Sequence, residues 1–305
     1  MQHHRSLEAL SLDDSWLTIG VFDGVHRGHQ EIIQQLTAGA HAQGAPAVVL
    51  TFFPHPALVL SGVDVKWLTT PDERANLLGD LGVDVVITYP FDRPTAVLSP
   101  EEFMGRLKKQ LGLRKLLVGY DFSLGRNRVG NAARLTEIGR DLGYDVLPVA
   151  ALQLEGHIVS STLIRQQLGE GDVAGATPKL GRPYSLGGPV IRGDGRGRTI
   201  GIPTANIDVP LEKVVPANGV YACWALTGGE RRKAVVNIGV RPTFTEGQVA
   251  PRVEAHLLDY DADLYEQVLR LEFIERLRGE QKFPSIDALV AQIKADIDRA
   301  GDVLK

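Results

Sequence analysis

Apolar runs and amphipathic stretches alternate along the chain as far as about residue 170. The apolar runs have the length of buried strands, and the stretches between them place apolar residues at the three- and four-residue spacing of a helix. The predicted strands cover residues 16–22, 46–53, 84–89, 115–119 and 144–150, and the predicted helices cover residues 29–40, 71–81, 100–111 and 131–142. Strands separated by helices predict right-handed crossovers and a parallel sheet, which is the α/β class.

The predicted helix at residues 100–111 has its own start signal. Ser99 is placed to cap the helix, Pro100 occupies the first helical position, and Glu102 can complete a capping box. We therefore expect this helix to begin at Pro100.

The pattern changes after residues 179–188, which read KLGRPYSLGG. Helical spacing nearly disappears, and strand-like runs follow at residues 184–192, 220–226, 232–238, 252–259 and 267–274. Residues 227–230 have the composition of a tight hairpin turn. Several short strands in succession predict a small barrel or sandwich. The change of pattern predicts two domains, residues 1–180 and 181–305.

One helix is predicted to close the chain, with Ser285 as its N-cap. Its apolar residues form a single stripe, which is predicted to pack on the barrel. The stripe consists of Ile286, Leu289, Val290, Ile293 and Ile297.

Composition narrows the class of protein. The chain has 305 residues, of which 44% are hydrophobic and 23% charged, as expected for a soluble globular protein of two domains. Its 33 basic and 37 acidic residues give a formal net charge of −4, so no overall field attracts a nucleic acid or an anionic membrane. Cys223 is the only cysteine, and neither a signal peptide nor a membrane-spanning apolar run is recognisable. We therefore expect a cytoplasmic protein.

Residues 20–30 read GVFDGVHRGHQ and place His26 and His29 where a predicted strand gives way to a predicted helix. Free backbone N–H groups and the helix dipole make a helix N-terminus a site for anions. An imidazole there can donate hydrogen bonds to phosphate oxygens and stabilise charge that develops on them during nucleotidyl transfer. The pattern therefore favours a phosphate site.

Two other interpretations of this histidine pair remain open. The histidines could ligate a metal, but a catalytic zinc site needs a third protein ligand, and His55 in TFFPHP is a remote candidate. They could also be ordinary polar residues of a loop, which is the commoner fate of histidine. The position of HxGH between a strand and a helix favours the phosphate interpretation.

HxGH in this position resembles the motif of the nucleotidyltransferase superfamily, and GVFDGVHRGHQ is very similar to its version in the bacterial bifunctional riboflavin kinase/FMN adenylyltransferases, also called FAD synthetases. Similar segments follow in the same order: TFFPHP (51–56), VGYDFSLGRNRVGN (118–131), VSSTLIRQQL (159–168), LGRPYSLGGPVIRGDGRGRTIGIPTANI (180–207), NIGVRPTF (237–244), VEAHLLDYDADLYEQ (253–267) and EQKFPSIDALVAQIKADI (280–297). The resemblance covers most of the chain. It implies an N-terminal, Rossmann-like nucleotidyltransferase domain and a C-terminal, small antiparallel β-barrel of the riboflavin kinase type with a terminal helix.

In the first domain, the resemblance implies a site for ATP and FMN. The residues that it assigns to the ATP phosphates are His26, His29 and Arg165 as catalytic groups, with Gly24, Gly28, Ser161 and Thr162 around them. Asp121 matches a family position that contacts FMN, and Phe53 and Leu124 lie beside the FMN pocket. The family usually has an acidic residue at the position of Phe53 and a phenylalanine at that of Leu124, so this pocket is expected to differ in detail.

In the second domain, residues 192–206 read RGDGRGRTIGIPTAN. Glycine lets backbone N–H groups approach phosphates closely and arginine neutralises them, although surface hairpins can have the same composition. The residues concerned are Gly195, Arg196, Gly197 and Arg198. PTAN resembles the riboflavin kinase signature, in which Thr204 and Asn206 would supply oxygen ligands to the Mg²⁺ that bridges ATP phosphates.

Glu254 lies in the strand-like run at residues 252–259. An arbitrary glutamate in such a run faces solvent, but one that alternates inward could reach a substrate hydroxyl. The match of VEAHLLDYDADLYE to the family implies that Glu254 is the general base of the kinase.

The resemblance implies an enzyme with two sites. The barrel would transfer the γ-phosphate of ATP to riboflavin, and the N-terminal domain would transfer AMP from a second ATP to FMN, giving FAD and pyrophosphate. Mg²⁺ is the expected cofactor, the expected partners are riboflavin, FMN, FAD and ATP, and a monomer or weak oligomer is expected. A nucleotidyltransferase for another phosphorylated substrate and a non-catalytic flavin-binding protein remain the alternatives.

Overall fold

The computed structural model describes residues 1–8, 10–154, 156–193, 197, 200–242 and 249–305. These residues form two compact units, Met1–Ser161 and Thr162–Lys305. Each unit has its own sheet and its own apolar core, and each is described by itself.

The first unit is built around a parallel sheet, as the alternation of strands and helices predicts. Its strands are β1 (Gln2–His4), β2 (Ser15–Ile19), β3 (Ala47–Phe53), β4 (Val85–Pro90), β5 (Leu113–Gly119), β6 (Ser123–Leu124), β7 (Gly130–Asn131), β8 (Asp145–Val149), β9 (Gln153–Leu154) and β10 (His157–Ile158). Its helices are α1 (Arg27–Ala42), α2 (Pro56–Ser61), α3 (Pro71–Asp80), α4 (Arg93–Ala96), α5 (Pro100–Leu111) and α6 (Ala132–Leu142). The main sheet has the order β1-β4-β3-β2-β5-β8, with every neighbouring pair parallel.

Side chains of the central strands point alternately into two apolar clusters, one on each face of the sheet. In β2, Leu17 and Ile19 enter one cluster and Trp16 enters the other. In β3, Val48 and Val49 alternate in the same way. Burial on both faces explains why these strands are almost continuously apolar in the sequence.

Helix starts in the first unit follow the local signals. The capping box predicted for α5 is present, because Ser99 Oγ accepts from the backbone N–H of Glu102 and the Glu102 carboxylate accepts from the N–H of Ser99. Thr70 and Glu73 form the same arrangement at α3. Both helices therefore start at a proline whose missing N–H needs no partner.

The second unit contains a closed antiparallel barrel, which settles the choice between barrel and sandwich. Its elements are α7 (Ser161–Glu170, which starts at the last residue of the first unit), α8 (Val173–Leu180), β11 (Tyr184–Ile191), β12 (Ala205–Ile207), β13 (Gly219–Thr227), β14 (Glu230–Pro242), β15 (Val249–Leu257), β16 (Val268–Arg278) and α9 (Ile286–Val303). The barrel order is β11-β12-β15-β14-β13-β16. Gly228 and Gly229 make the predicted hairpin turn between β13 and β14, with φ of 57° and 82°.

The terminal helix α9 begins at its predicted N-cap, Ser285, whose Oγ accepts from the backbone N–H of Ala288. It joins the core of the second unit near its other end, through Ala300 and Leu304. Ile286 is 67% exposed, so the predicted apolar stripe is wrong at its first member. The first turn of the helix lies beyond the apolar surface that the barrel offers.

The limits of the two domains remain a prediction. The compact units divide after Ser161, and α8 packs against β11 and β16 of the barrel unit. Val173, Ala176 and Leu180 of α8 are buried there. Within the described part of the chain, no helix is long and apolar enough to cross a membrane.

Candidate functional sites

The turn between β2 and α1 has an unusual backbone. A short 3₁₀ turn covers Asp23–Val25, and Phe22, Gly24 and Val25 have positive φ of 49°, 80° and 41°. Positive φ is unstrained only for glycine, so Phe22 and Val25 must be held there by their surroundings. The predicted strand therefore stops at Ile19, three residues before its expected end, because the chain turns in this way.

The buried side chain of Asp23 attaches this turn to residues 68 and 69. It is 1% exposed, and its carboxylate accepts hydrogen bonds from the backbone N–H groups of Leu68 and Thr69, at 3.0 Å, and from the Thr69 hydroxyl, at 3.2 Å. Gly24 N–H in turn donates to Thr69 Oγ1 over 3.0 Å. The Gly24 amide, assigned to phosphate from the sequence, is thus bonded within the protein in this structure.

His26 caps helix α1 with its own side chain. Its Nδ1 accepts a hydrogen bond from the backbone N–H of His29 over 3.3 Å. This bond leaves the ring proton of neutral His26 on Nε2, the nitrogen that can donate to an anion. A Cβ on Gly28 would lie 3.3 Å from this ring, so the glycine lets His26 lie close over the helix start. The helix begins at Arg27, two residues earlier than predicted, because His26 supplies the cap.

The rings of His26 and His29 are stacked, with centroids 3.5 Å apart and planes 18° apart. The His29 ring also meets the edge of Phe22 at 5.1 Å, and its Nδ1 is buried with no hydrogen-bond partner in the described part of the chain. Burial, with smaller contributions from the charges of His26 and Arg74, lowers the pKa of His29 well below its usual 6.5. His29 is therefore neutral at pH 7, and no described residue bonds its buried Nδ1.

The lowered pKa of His29 predicts acid sensitivity of the first unit. Below about pH 6.5, the imidazole of the unfolded chain takes up a proton that the ring in the folded chain does not, so the free energy of unfolding falls as the pH falls. Urea unfolding of the wild-type protein and of His29→Gln at pH 7.5 and 5.5 checks this. The loss on acidification should be smaller in His29→Gln, and an equal loss in both proteins would contradict the prediction.

Ser161, the first residue of α7, is hydrogen-bonded to the turn at residues 21–25 that precedes His26 and His29, called the histidine turn below. Its hydroxyl donates to the backbone carbonyl of Asp23 over 2.9 Å. Thr162 is exposed and Arg165 is partly buried further along α7, in the second compact unit. The structure therefore brings Ser161 to the turn that carries His26 and His29.

A cavity of about 580 Å³ opens beside this turn, at the carboxyl ends of the sheet strands. His29 lies in its wall, and most of its lining is apolar or aromatic. The aromatic lining residues are Phe22, Phe52, Phe91, Phe103 and Phe122. Such a cavity suits a flat aromatic ligand, and His29 would meet the ligand's polar end.

The three residues assigned to the flavin from the sequence have different positions. Asp121 and Leu124 line the cavity. Phe53 does not line it, since this ring is 39% exposed and stacks on Trp67 at 5.9 Å. Phe52 enters the cavity instead, because neighbouring residues of a strand point to opposite faces.

His55 is engaged in local contacts. Its Nδ1 accepts from the backbone N–H of Ala57 over 3.1 Å, and its ring lies 5.1 Å from Trp67. Over the described ranges, no group of three or more His, Cys, Asp or Glu residues is placed to hold a metal ion. The geometry therefore gives the zinc interpretation of His26 and His29 no third ligand.

In the barrel, Glu254 lies between two asparagines on neighbouring strands. Its register partners are Asn206 on β12 and Asn237 on β14. Directly opposed residues share one face of a sheet, so the three polar side chains form a row on the outer face, and Glu254 does not point inward as the sequence interpretation supposed. Val253 and Ala255 point to the other face and are buried in the barrel.

Arg252 links this row. Its Nη2 lies 2.7 Å from Glu254 Oε1, and its Nε donates to Asn206 Oδ1 over 3.3 Å. His256, two residues further along the same face, donates from Nδ1 to the carbonyl of Pro203 over 2.8 Å. These contacts hold the PTAN segment against β15.

Two glycines of the loop before PTAN are needed for close approach. A Cβ on Gly193 would lie 2.2 Å from the side-chain nitrogen of Asn206. A Cβ on Gly197 would lie 2.3 Å from the carbonyl of Ile202 and 3.3 Å from Thr204 Oγ1. Gly195, Arg196 and Arg198, assigned to phosphate from the sequence, lie outside the described residues.

Sequence reasoning missed several residues of both sites. A signal existed for Arg252, which shares a strand face with Glu254, and for Asn237, which begins NIGVRPTF. No local pattern marks Phe91 or the buried contacts of Asp23. Their positions depend on segments far apart in the chain.

Comparison with known proteins assigns the chain to a family. The FAD synthetase family model matches residues 9–163, and the riboflavin kinase family model matches residues 180–304. The bifunctional riboflavin kinase/FMN adenylyltransferase of Escherichia coli (strain K12) is 40% identical over 92% of this chain and 90% of its own, and that of Listeria monocytogenes is 36% identical over 92% and 89%.

A crystal structure named as a macrolide-efflux protein, from Streptococcus pneumoniae, has the same fold. Its TM-score is 0.89 at 30% identity, and the match covers 97% of both chains. The two family models and the curated relatives agree over nearly the full length. The chain belongs to the family of bifunctional riboflavin kinases/FMN adenylyltransferases.

Proposed function

We propose that this chain makes FAD in two steps, each at its own site. The barrel unit transfers the γ-phosphate of ATP to riboflavin, and the parallel-sheet unit transfers AMP from a second ATP to FMN, releasing pyrophosphate. One observation carries this proposal: each family-model match falls on a unit that has a separate polar cluster of its own. Those clusters are the His26–His29 pair and the row around Glu254.

At the first site, His26 and His29 are proposed to stabilise charge on the phosphates during AMP transfer. His26 is the N-cap of α1 and His29 lies in its first turn, where the helix dipole also favours an anion. His26 carries its ring proton on Nε2, because its Nδ1 accepts the capping hydrogen bond. The apolar cavity would hold the flavin ring, with Asp121 and Leu124 in its wall. Positioning and electrostatics suffice, and no covalent intermediate is needed.

Ser161, Thr162 and Arg165 are proposed to bind the ATP phosphates from α7. Hydroxyls and a guanidinium suit phosphate oxygens. Gly28 contributes by its small size, since it allows the His26 ring over the start of α1.

At the second site, Glu254 is proposed as the general base. A carboxylate that accepts the proton of the riboflavin 5′-hydroxyl makes that oxygen a better nucleophile. Arg252 lies 2.7 Å from one carboxylate oxygen and fixes its direction. The other oxygen, Oε2, is then the one proposed to accept the proton.

Mg²⁺ is proposed at the second site, and the donor set fits it. Thr204 and Asn206 offer neutral oxygen atoms, which this hard ion prefers, and Gly193 and Gly197 let the loop backbone lie close against these two side chains. When bound, the ion would neutralise charge on the ATP phosphates. Thr204 Oγ1 and Asn206 Oδ1 would hold it, and Asn206 Oδ1 also accepts a hydrogen bond from Arg252 Nε.

The proposed partners are small molecules: riboflavin, FMN, FAD and ATP. The formal net charge of −4 supports neither a nucleic acid nor an anionic membrane as a partner. We also propose a cytoplasmic location and a monomer or weak oligomer.

A time course tests the function. The protein is incubated with riboflavin, ATP and Mg²⁺, and FMN, FAD, ADP and pyrophosphate are followed by chromatography. FMN should appear first and FAD after it. Pyrophosphate release with another phosphorylated substrate and not with FMN would favour the other nucleotidyltransferase interpretation. Tight flavin binding without ATP consumption would favour a non-catalytic flavin-binding protein.

The two activities should be separable by truncation. A fragment of residues 181–305 should convert riboflavin to FMN without making FAD, because the row around Glu254 lies wholly within it. A fragment of residues 162–305 should be more stable, since Val173 and Leu180 of α8 are buried and removing each costs about 2 kcal/mol. Urea unfolding and ADP release are measured on both fragments. A folded fragment that leaves riboflavin unphosphorylated would show that the kinase needs the first half.

A further inference from the structure

Arg74 is completely buried in the first unit. It lies on α3, is 0% exposed, and its guanidinium carbon is 4.4 Å from the ring centre of Trp67. An arginine is always charged, and a buried charge is costly unless hydrogen bonds compensate it. Two hydrogen bonds of its guanidinium lead toward the turn at residues 21–25.

One branch of contacts reaches the start of the turn. Arg74 Nη1 donates to Thr51 Oγ1 over 2.8 Å and to the carbonyl of Phe52 over 3.4 Å. The Thr51 hydroxyl then donates to the carbonyl of Val21 over 2.8 Å. Val21 immediately precedes Phe22, the first residue with positive φ.

The other branch reaches the middle of the turn. Arg74 Nη2 donates to the carbonyl of Thr69 over 3.2 Å. Thr69 binds the Asp23 carboxylate through its N–H and hydroxyl, and it accepts from the N–H of Gly24. The planar fork of one guanidinium therefore connects to residues 21 and 23–24 by two separate routes.

We propose that Arg74 is a positioning residue for AMP transfer, which fixes the turn at residues 21–25 from both sides and so sets the places of His26 and His29. Phe22 and Val25 keep a backbone conformation that is unfavourable for residues with a side chain, so the turn needs an external brace. The inference depends on the proposed role of the two histidines. It adds a residue that touches neither phosphate nor flavin.

The charge of Arg74 has a second effect, on His29. The groups that bear on this imidazole are His26, stacked on it from α1, and Arg74 from α3, and both lower its pKa. Asp121 and Arg128, from the segment after β5, line the same cavity. A change that removes the charge of Arg74 should therefore raise the pKa of His29, whereas a change that keeps the charge should not.

The test compares Arg74→Lys, Arg74→Met and Thr51→Val in the full chain. Lysine keeps the charge but cannot serve both branches, methionine removes the charge, and the valine breaks only the branch to Val21. FMN adenylylation is measured as kcat and KM with supplied FMN, ATP and Mg²⁺, and His29 is titrated by NMR. Riboflavin phosphorylation by the same preparation is the internal reference. Arg140→Met, on the exposed surface of α6, is the matched control.

All three variants should lose adenylylation, by about tenfold to a hundredfold, because small misplacement of catalytic groups has effects of this size. Only Arg74→Met should raise the pKa of His29. Riboflavin phosphorylation should not change, and Arg140→Met should behave as wild type. If Arg74→Met does not fold, the adenylylation rates of Arg74→Lys and Thr51→Val test the proposal.

Normal kcat and KM in folded Arg74→Lys and Thr51→Val would overturn the proposal, even if their melting temperatures fell. The variant His29→Ala belongs in the same series. If it too keeps full adenylylation, the proposed role of the histidines fails as well. If His29→Ala is inactive while the Arg74 and Thr51 variants are normal, only the positioning role fails.

Discussion

The variant His29→Ala should lose FMN adenylylation by about 10²- to 10³-fold, the usual cost of removing one donor that stabilises charge in a transition state. His29, in the first turn of α1, is stacked on the N-cap residue His26, and its Nδ1 has no hydrogen-bond partner among the described residues. Alanine removes the donor and leaves the His26 cap on the helix N-terminus, because that cap uses the backbone N–H of residue 29. The loss should therefore appear mainly in kcat.

The assay for His29→Ala measures pyrophosphate release with FMN beside ADP release with riboflavin, on one preparation. Riboflavin phosphorylation should remain near wild type, because the residues proposed for it all lie in the barrel unit. His41→Ala is the matched control: His41 lies on the same helix, pairs with Asp84 at the surface, and should leave both activities unchanged. Equal loss of both activities in His29→Ala would indicate a folding defect or a shared site.

Much of the architecture could be predicted because burial leaves a local pattern. Strands buried on both faces, such as β2 and β3, are almost continuously apolar. The helices between them show apolar residues at helical spacing and recognisable N-cap residues. The Gly228–Gly229 turn marks the barrel hairpin equally well. The parallel sheet predicted from these patterns is confirmed, and so are the barrel and the family membership that the motif resemblance implies.

Elements without such a pattern were missed. Strand β1 has three polar or partly exposed residues, Gln2–His4, and it becomes a strand by pairing with β4 at the edge of the sheet. The exposed start of α9 shows the opposite case, in which Ile286 fits the helical stripe but has no core to enter. Periodicity records which face is apolar and does not record how far the partner surface extends.

In the candidate sites, too, some residues could be predicted from local patterns and others could not. The motifs gave the residues that meet in one turn or one strand face, such as His26 with His29 and Asn206 with Glu254. The motifs did not identify the residues that hold the histidine turn in place. Arg74 and Thr51 are far apart in the sequence and meet only in the folded protein. A positioning residue must have a side chain long enough to reach its partner in space. The sequence alone does not give the distance between residues that are far apart along the chain. The sequence assigned Phe53 to the flavin pocket, but Phe52 lines the cavity. The two differ because neighbouring residues of a strand point to opposite faces.

The variant Glu254→Gln should show the largest effect at the second site. A riboflavin hydroxyl is a poor nucleophile, and a carboxylate that takes its proton contributes about 10² to 10⁴ in rate. Glutamine has nearly the same size and can accept a hydrogen bond, but it cannot take the proton. Its side chain can still lie opposite Asn206 and Asn237 and meet Arg252, so riboflavin and ATP should still bind.

Kinase turnover should therefore fall in Glu254→Gln while KM changes little, and supplied FMN should still become FAD through His26 and His29. ADP release with riboflavin and pyrophosphate release with FMN are measured on one preparation. Glu275→Gln is the matched control, because Glu275 forms a surface ion pair with Arg299 and such pairs contribute little. Wild-type phosphorylation by Glu254→Gln, with the chemical step shown to limit turnover, would remove Glu254 from the mechanism. Normal turnover in Glu275→Gln shows that the effect belongs to the position of Glu254 and not to the loss of a carboxylate from the barrel surface.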